Sequence, residues 1–167
     1  MKTSLDGQVA IVTGGARGIG LGIARLMAER GAKIVVWDRD LEPLKATPGF
    51  TPAMAQSVDV ADYGSVERAF IAAVAKFGQI HIIVNNAGIN GPIKPTWEYP
   101  LEDWDRVVAI DMTSVFYASR LAATRSQSSS GYSQVGLIGP LMPALLTTMW
   151  IWPNCATAAL NALSTDE

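Results

Sequence analysis

Two residues are nearly missing from this chain, and each absence removes a class of chemistry. One cysteine, Cys155, excludes an internal disulfide and a cysteine-built zinc site. One histidine, His81, leaves no partner for a multi-histidine metal centre and gives little support to a His–Asp–Ser relay. An excess of positive charge is also lacking. The 13 Lys and Arg stand against 15 Asp and Glu, so no basic field exists to hold a phosphate backbone, and no nucleic-acid partner is expected. Lys2 and Asp6 precede any apolar run, which argues against a targeting segment and points to a cytoplasmic protein. Internal repeats are absent.

At 167 residues the chain suits one domain rather than two of ordinary size. Its charges are unevenly placed. Every basic residue lies before position 126, and residues 126–165 carry no charge at all. The expected division is an ordinary α/β domain over 1–125 and a Ser-rich, then apolar, tail over 126–167 that carries no charge before Asp166.

Within the first part, short apolar runs alternate with helical periodicity. Residues 8–13 form a buried strand that runs into a glycine cluster. A helix follows with Ile19, Ile23, Leu26 and Met27 on one face, stopped by Gly31. Residues 33–38 are the second strand, and 56–60 the third after a connector broken by Pro43, Pro48 and Pro52. Residues 65–77 are an amphipathic helix with Val66, Phe70, Ala73, Val74 and Phe77 inward, ended by Gly78. Residues 80–85 are the fourth strand, and 101–125 read as one or two helices. Strands alternating with helices predict a parallel sheet covered by helices on both faces.

Between the first strand and its helix stands Thr13-Gly-Gly-Ala-Arg-Gly-Ile-Gly20. Glycines suit a loop whose backbone N–H groups must touch a diphosphate, with the helix N-terminus adding partial positive charge. A tight β–α turn with no ligand is the alternative, and the strand–loop–helix context favours the binding role. Asp38 ends the second strand, where a carboxylate accepts both ribose hydroxyls of an adenosine and repels a 2′-phosphate. It could instead cap the next turn. Arg17 and Arg39 are nearby cations able to meet a 2′-phosphate, so NAD is favoured with NADP as the lesser choice.

At these positions the sequence resembles the short-chain dehydrogenases/reductases. Gly14, Gly18 and Gly20, with Arg17 and Ile19 between them, look like that family's cofactor loop. Asp59-Val60 matches the pair flanking the adenine ring. Asn85-Asn86-Ala87-Gly88 matches the motif that steadies the central sheet and lines the nicotinamide ribose. The resemblance implies a Rossmann-like, doubly wound parallel sheet, truncated to the strand order 3-2-1-4, and hydride transfer between NAD(P)(H) and a small alcohol or ketone. The wording near 90–99 and 104–116 is most similar to 3-oxoacyl-carrier-protein reductases or sugar-acid dehydrogenases.

The same resemblance exposes a gap. The family donates a proton from a tyrosine whose pKa is lowered by a lysine four residues later, with a serine polarising the carbonyl and an asparagine steadying the relay. Asp111 stands at the asparagine position. Four residues after Tyr63, Tyr99, Tyr117 and Tyr132 come Glu67, Asp103, Leu121 and Gly136, so no tyrosine–lysine pair exists. Ser128, Ser129 and Ser130 lie in a linker-like segment rather than on a strand. His81 is read as structural. The expected activity is therefore that of an oxidoreductase inactive alone, against a non-catalytic dinucleotide-binding or interaction module or a membrane-associated vestigial fold.

The tail leaves three readings open. It is an unrelated terminal sequence, a membrane or partner anchor using Trp150 and Trp152, or an improvised cover for the domain. Val135, Gly136, Leu137 and Ile138 could pair weakly with the fourth strand, because glycine weakens a ladder. Without that pairing the fourth strand would be an exposed apolar edge. The helices of 101–125 would then lose partners for Val107, Val108, Ile110, Val115 and Phe116. Self-association is the expected consequence.

Overall fold

The computed structural model describes residues 4–126 and 136–138, with side chains given through residue 123. Five parallel strands form one sheet in the order β3-β2-β1-β4-β5. They are β1 (Val9–Thr13), β2 (Lys33–Asp38), β3 (Met54–Ser57), β4 (Ile82–Val84) and β5 (Gly136–Ile138). Helices α1 (Gly18–Glu29), α2 (Glu42–Lys45) and α3 (Tyr63–Phe77) connect the first four. After β4 come α4 (Leu101–Val108), a π-helical turn (Ala109–Thr113) and α5 (Ser114–Ser126). The serines at 128–130, Trp150, Trp152, Cys155 and the apolar run beyond 138 lie outside the described residues. No helix among the described residues is long and apolar enough to cross a membrane.

Strand alternation sends side chains to two cores. Val9, Ile11, Val35, Trp37 and Ile83 pack on one face beneath α3 and α5. Ala10, Val12, Ile34, Val36 and Val84 pack on the other, against α1 and Leu44 of α2. A sheet buried on both faces explains why the strands are continuously apolar rather than alternating. Trp37 has no exposed surface, and its indole N–H donates to Gln56 Oε1 at 2.9 Å, so its one polar atom is satisfied.

The 3-2-1-4 order holds, and a fifth strand extends it. Ile82, Ile83 and Val84 pair with Gly136, Leu137 and Ile138, so β4 is interior and the expected bare edge is not there. The short β5 needs only backbone groups to complete this ladder, which is why two-sided pairing survives a glycine. Ile110 is correspondingly buried, whereas Phe116 remains 59% exposed. Two further expectations shift. The third strand begins at Met54 and ends at Ser57, before Asp59 and Val60. Ile19 is not on the inner face of α1: it is 79% exposed, and the helix approaches the sheet through Gly20 and Ala24.

Glycines and caps set the helix ends. Gly31 (φ 97°) and Gly78 (φ 80°) take the left-handed conformation that stops α1 and α3. Asp62 caps α3, accepting from the N–H groups of Gly64 and Ser65. At the opposite end of the sheet from the glycine loop, His81 is structural. Its N–H donates to Val9 O at 2.9 Å and its Nδ1 accepts from Val9 N–H at 3.0 Å.

The core assignment has a paired test. Trp37→Ala is expected to cost about 3–5 kcal/mol in urea unfolding, the range for deleting a large buried aromatic. Trp97→Ala, at an 84% exposed position, is expected to stay within about 0.5 kcal/mol of the parent.

Candidate functional site

The chain runs through β1, β2 and β3 on one side, then crosses back to β4 on the other. The loops leaving β1 and β4 therefore diverge at the carboxyl ends of adjacent strands, where doubly wound sheets open a crevice. Both sequence motifs expected to bind meet there.

The loop after β1 is bent by Gly14 (φ 63°) and Gly18 (φ 55°), a conformation that side chains disfavour. Close packing adds a second demand. A Cβ on Gly14 would lie 3.0 Å from Ala87 Cα, and one on Gly20 would run into the Gly14 carbonyl and the Asn86 amide. The end of β2 takes three consecutive N–H groups from this loop. Trp37 O accepts from Gly14 at 2.7 Å and from Gly15 at 3.4 Å, and Asp38 Oδ2 accepts from Ala16 at 3.0 Å. Arg17 then enters α1 in extended conformation with no side-chain cap. The N–H groups of Gly18, Ile19 and Gly20 have no acceptor among the described residues, and they stand at the positive end of a helix.

Thr13 joins the two loops, a role the sequence pattern did not single out. Its buried hydroxyl donates to Val84 O at 3.3 Å and accepts from the N–H groups of Asn86 and Ala87, each at 3.0 Å. Asn86 Nδ2 returns bonds to Thr13 O at 3.0 Å and Gly14 O at 3.2 Å. Asn86 and Ala87 thus hold the glycine loop from beneath. The signal available in sequence was a Thr at the last position of a strand feeding a glycine turn.

Asp38 is buried, and both proposed uses of its carboxylate are compatible with what it touches. Oδ1 accepts from Asp40 N–H at 3.2 Å, the local cap, while Oδ2 holds the loop. Arg17 and Arg39 are exposed. Asp59 is exposed, and its Oδ1 accepts from Ala61 N–H at 3.0 Å, whereas Val60 is buried in the core beneath α3.

Across the crevice, Asp111 lies in the π-helical turn, and its Oδ1 accepts from Ile89 N–H at 2.9 Å. A Cβ on Gly88 would lie 3.5 Å from that carboxylate. Single π turns inside helices widen the backbone and recur at functional sites. Here the turn sets Asp111 against the loop leaving β4. A cleft of about 310 Å³ follows, lined by Ile89, Asn90 and Gly91 on one side and Asp103, Arg106 and Val107 on the other. Among the described residues the tyrosines are engaged in packing. Tyr63 and Tyr117 pack edge to face at 5.2 Å, and Tyr99 closes against Gly91. Among the described residues no cluster of His, Cys, Asp or Glu could hold a metal ion.

A sequence profile of the short chain dehydrogenase family matches residues 8–132. A 2-dehydro-3-deoxy-L-rhamnonate dehydrogenase (NAD(+)) of Sphingomonas sp. is 38% identical over 116 residues, covering 68% of this chain and 46% of that protein. A D-threitol dehydrogenase of Mycolicibacterium smegmatis is 36% identical over 144 residues, covering 80% and 53%. Among solved structures, a 3-ketoacyl-(acyl-carrier-protein) reductase of Brucella melitensis in complex with NADH is similar with a TM-score of 0.66 at 35% identity. That match covers 70% of this chain and 49% of the other. An NAD+-bound xylitol dehydrogenase gives a TM-score of 0.72 at 28% identity, covering 79% and 52%. The chain spans about half the length of the curated relatives it matches. With the profile spanning three quarters of the residues and the crevice built from its motifs, the chain belongs to the short chain dehydrogenase family.

Proposed function

We propose that residues 1–125 form the dinucleotide-binding domain of an oxidoreductase that moves hydride between NAD(H) and a small alcohol or ketone of the 3-oxoacyl or sugar-acid type. The observation that carries the reading is the set of N–H groups at Gly18, Ile19 and Gly20, which have no acceptor among the described residues, beside a cradle that a Cβ would fill. That cradle fits a diphosphate, held by the N–H groups of Gly18, Ile19 and Gly20, with Gly14 supplying the turn and the clearance. Asp38 would accept the adenosine ribose hydroxyls and repel a 2′-phosphate, which favours NAD over NADP; Arg17 lies at the loop mouth. Asp59 and Val60 would flank the adenine, and Asn86, Ala87 and Gly88 would line the nicotinamide ribose. When bound, the cofactor supplies the hydride chemistry. Asp111 would steady the loop that shapes the reacting end, through its bond to Ile89 N–H.

A proton donor for the alkoxide is the missing part. These 167 residues contain no tyrosine with a lysine four positions on, so this polypeptide is read as binding cofactor without appreciable turnover.

We also propose self-association, through a different surface from the sheet edge. Leu101, Trp104, Met112 and Phe116 are exposed along the continuous run of α4, the π turn and α5. Glu102 and Asp105 flank its start and Arg120 its far end. Antiparallel pairing of two copies would bring opposite charges together while covering the stripe.

Three measurements test this reading. Gly20→Ala is expected to weaken NAD+ binding at least about tenfold by calorimetry, because even a small steric shift displaces the phosphate donors. Gly22→Ala, where a Cβ meets nothing within 4 Å, is expected to leave affinity unchanged. Equal affinities for the two variants would refute the cradle.

Turnover of 3-oxoacyl or sugar-acid substrates by this polypeptide is expected to be about 10²–10⁴-fold below that of a relative with an intact proton donor, the usual cost of losing acid–base assistance. Full-rate turnover by contaminant-free protein would refute the inactive reading.

In sedimentation experiments the parent chain is expected to show concentration-dependent association that Phe116→Glu abolishes. A monomeric parent would overturn the helix-face assignment.

A further inference from the structure

Asp38 occupies an unusual position for a residue expected only to meet a sugar. Successive residues of β2 capture successive donors of the glycine loop. Trp37 takes Gly14 and Gly15 through its main-chain carbonyl, and Asp38 takes Ala16 through its side chain. We infer that Asp38 is a positioning residue for the diphosphate loop as well as the ribose acceptor, so the two halves of the cofactor site form one mechanical unit. This inference rests on the dinucleotide reading above for its ligand, though its structural half does not.

Burial makes the bond consequential. Ala16 has no exposed surface and Asp38 is 9% exposed, so water is poorly placed to replace the carboxylate. A buried N–H left without an acceptor pays its full desolvation penalty, and the backbone responds by turning that donor outward. Asp38 is itself held, since its second oxygen accepts from Asp40 N–H at 3.2 Å. The carboxylate is therefore a fixed post rather than a swinging arm. Pinning Ala16 N–H inward leaves the next donors, from Gly18 to Gly20, at the open end of the loop. Release of that pin would scatter the donors that a diphosphate needs aligned.

A distinctive consequence follows for cofactor choice. Removing the carboxylate would relieve its repulsion of a 2′-phosphate but would also loosen the loop. The damage would extend to ligands that never touch the ribose position. Inorganic pyrophosphate is such a probe, and adenosine, which lacks a diphosphate, is its complement.

The experiment uses the full chain and compares the parent with Asp38→Ala and Asp38→Asn. Amide hydrogen exchange at Ala16 is measured without ligand, with Ile34 and Val35 amides of β2 as the folding control. Pyrophosphate and adenosine are then titrated against the amide resonances of Gly18 and Ile19. Asp38→Ala is expected to speed Ala16 exchange about tenfold or more, the scale for losing a charge-assisted bond, and to weaken pyrophosphate by a similar factor. Asp38→Asn has one acceptor oxygen for the two N–H groups that the carboxylate serves, Ala16 and Asp40, and is expected to fall between the parent and Asp38→Ala in both properties. Adenosine affinity is expected to fall in both variants, because each lacks the negative acceptor. Unchanged Ala16 exchange in Asp38→Ala with β2 intact would overturn the positioning role. Faster exchange with unchanged pyrophosphate affinity would overturn the coupling, as would an Asp38→Asn in which exchange and pyrophosphate affinity do not change together. Should the parent bind neither NAD+ nor pyrophosphate, the dinucleotide reading fails, while Ala16 exchange still decides whether Asp38 holds the loop.

Discussion

A single hydroxyl ties the two halves of the crevice. Thr13 sits where β1 ends, and its buried oxygen serves the Val84 carbonyl and the N–H groups of Asn86 and Ala87 together. All these groups lie at the carboxyl ends of two parallel strands, where the ladder stops and backbone atoms would otherwise be orphaned. One small side chain satisfies them and fixes the distance between loops. A larger or apolar residue would leave buried donors unmatched on the β4 side. The close approach of Gly14 and Gly20 to Asn86 depends on that spacing.

From this anchor the site is assembled by subtraction. The loop has more N–H groups than the protein uses, and β2 removes those nearest the sheet. What remains is a short row of donors at the start of α1, aligned with the helix dipole. The glycines are required less for flexibility than for clearance, since at Gly20 even one methyl would displace both the Gly14 carbonyl and the Asn86 amide. An apolar Ile19 exposed beside these donors is consistent with a surface made to be covered.

The long helical run after β4 faces two ways. Its inner side buries Ile110, Ala118 and Leu121 beneath the sheet, while its outer side exposes Trp104 and Phe116. The π turn lies between, adding one residue to a helical turn and so shifting which side chains face inward. It sets the half-buried Asp111 against Ile89. An aspartate can accept that N–H as an asparagine can, but it brings no amide donor of its own. The link from helix to loop is therefore kept, and any role needing a donor at that position is not.

Much was legible in the residues themselves. The first two strands and the fourth, the stops at Gly31 and Gly78, and the location of the glycine loop follow from short-range rules: apolar runs, periodicity and left-handed glycines. These act over a few residues, so sequence order carries them. The third strand, β5 and the face of Ile19 were less accessible. The polar Gln56 and Ser57 blur a strand boundary, and pairing of Gly136 with Ile82 joins segments more than fifty residues apart. The choice of candidate binding residues was likewise a matter of sequence, because a glycine loop and an acidic strand end are local patterns. Their use was not. That Thr13 is a hub, that Asp38 holds Ala16, and that β4 is interior depend on groups brought together by folding. Hydrogen-bond satisfaction and close packing are three-dimensional constraints, and only the tertiary structure decides which atoms must share them.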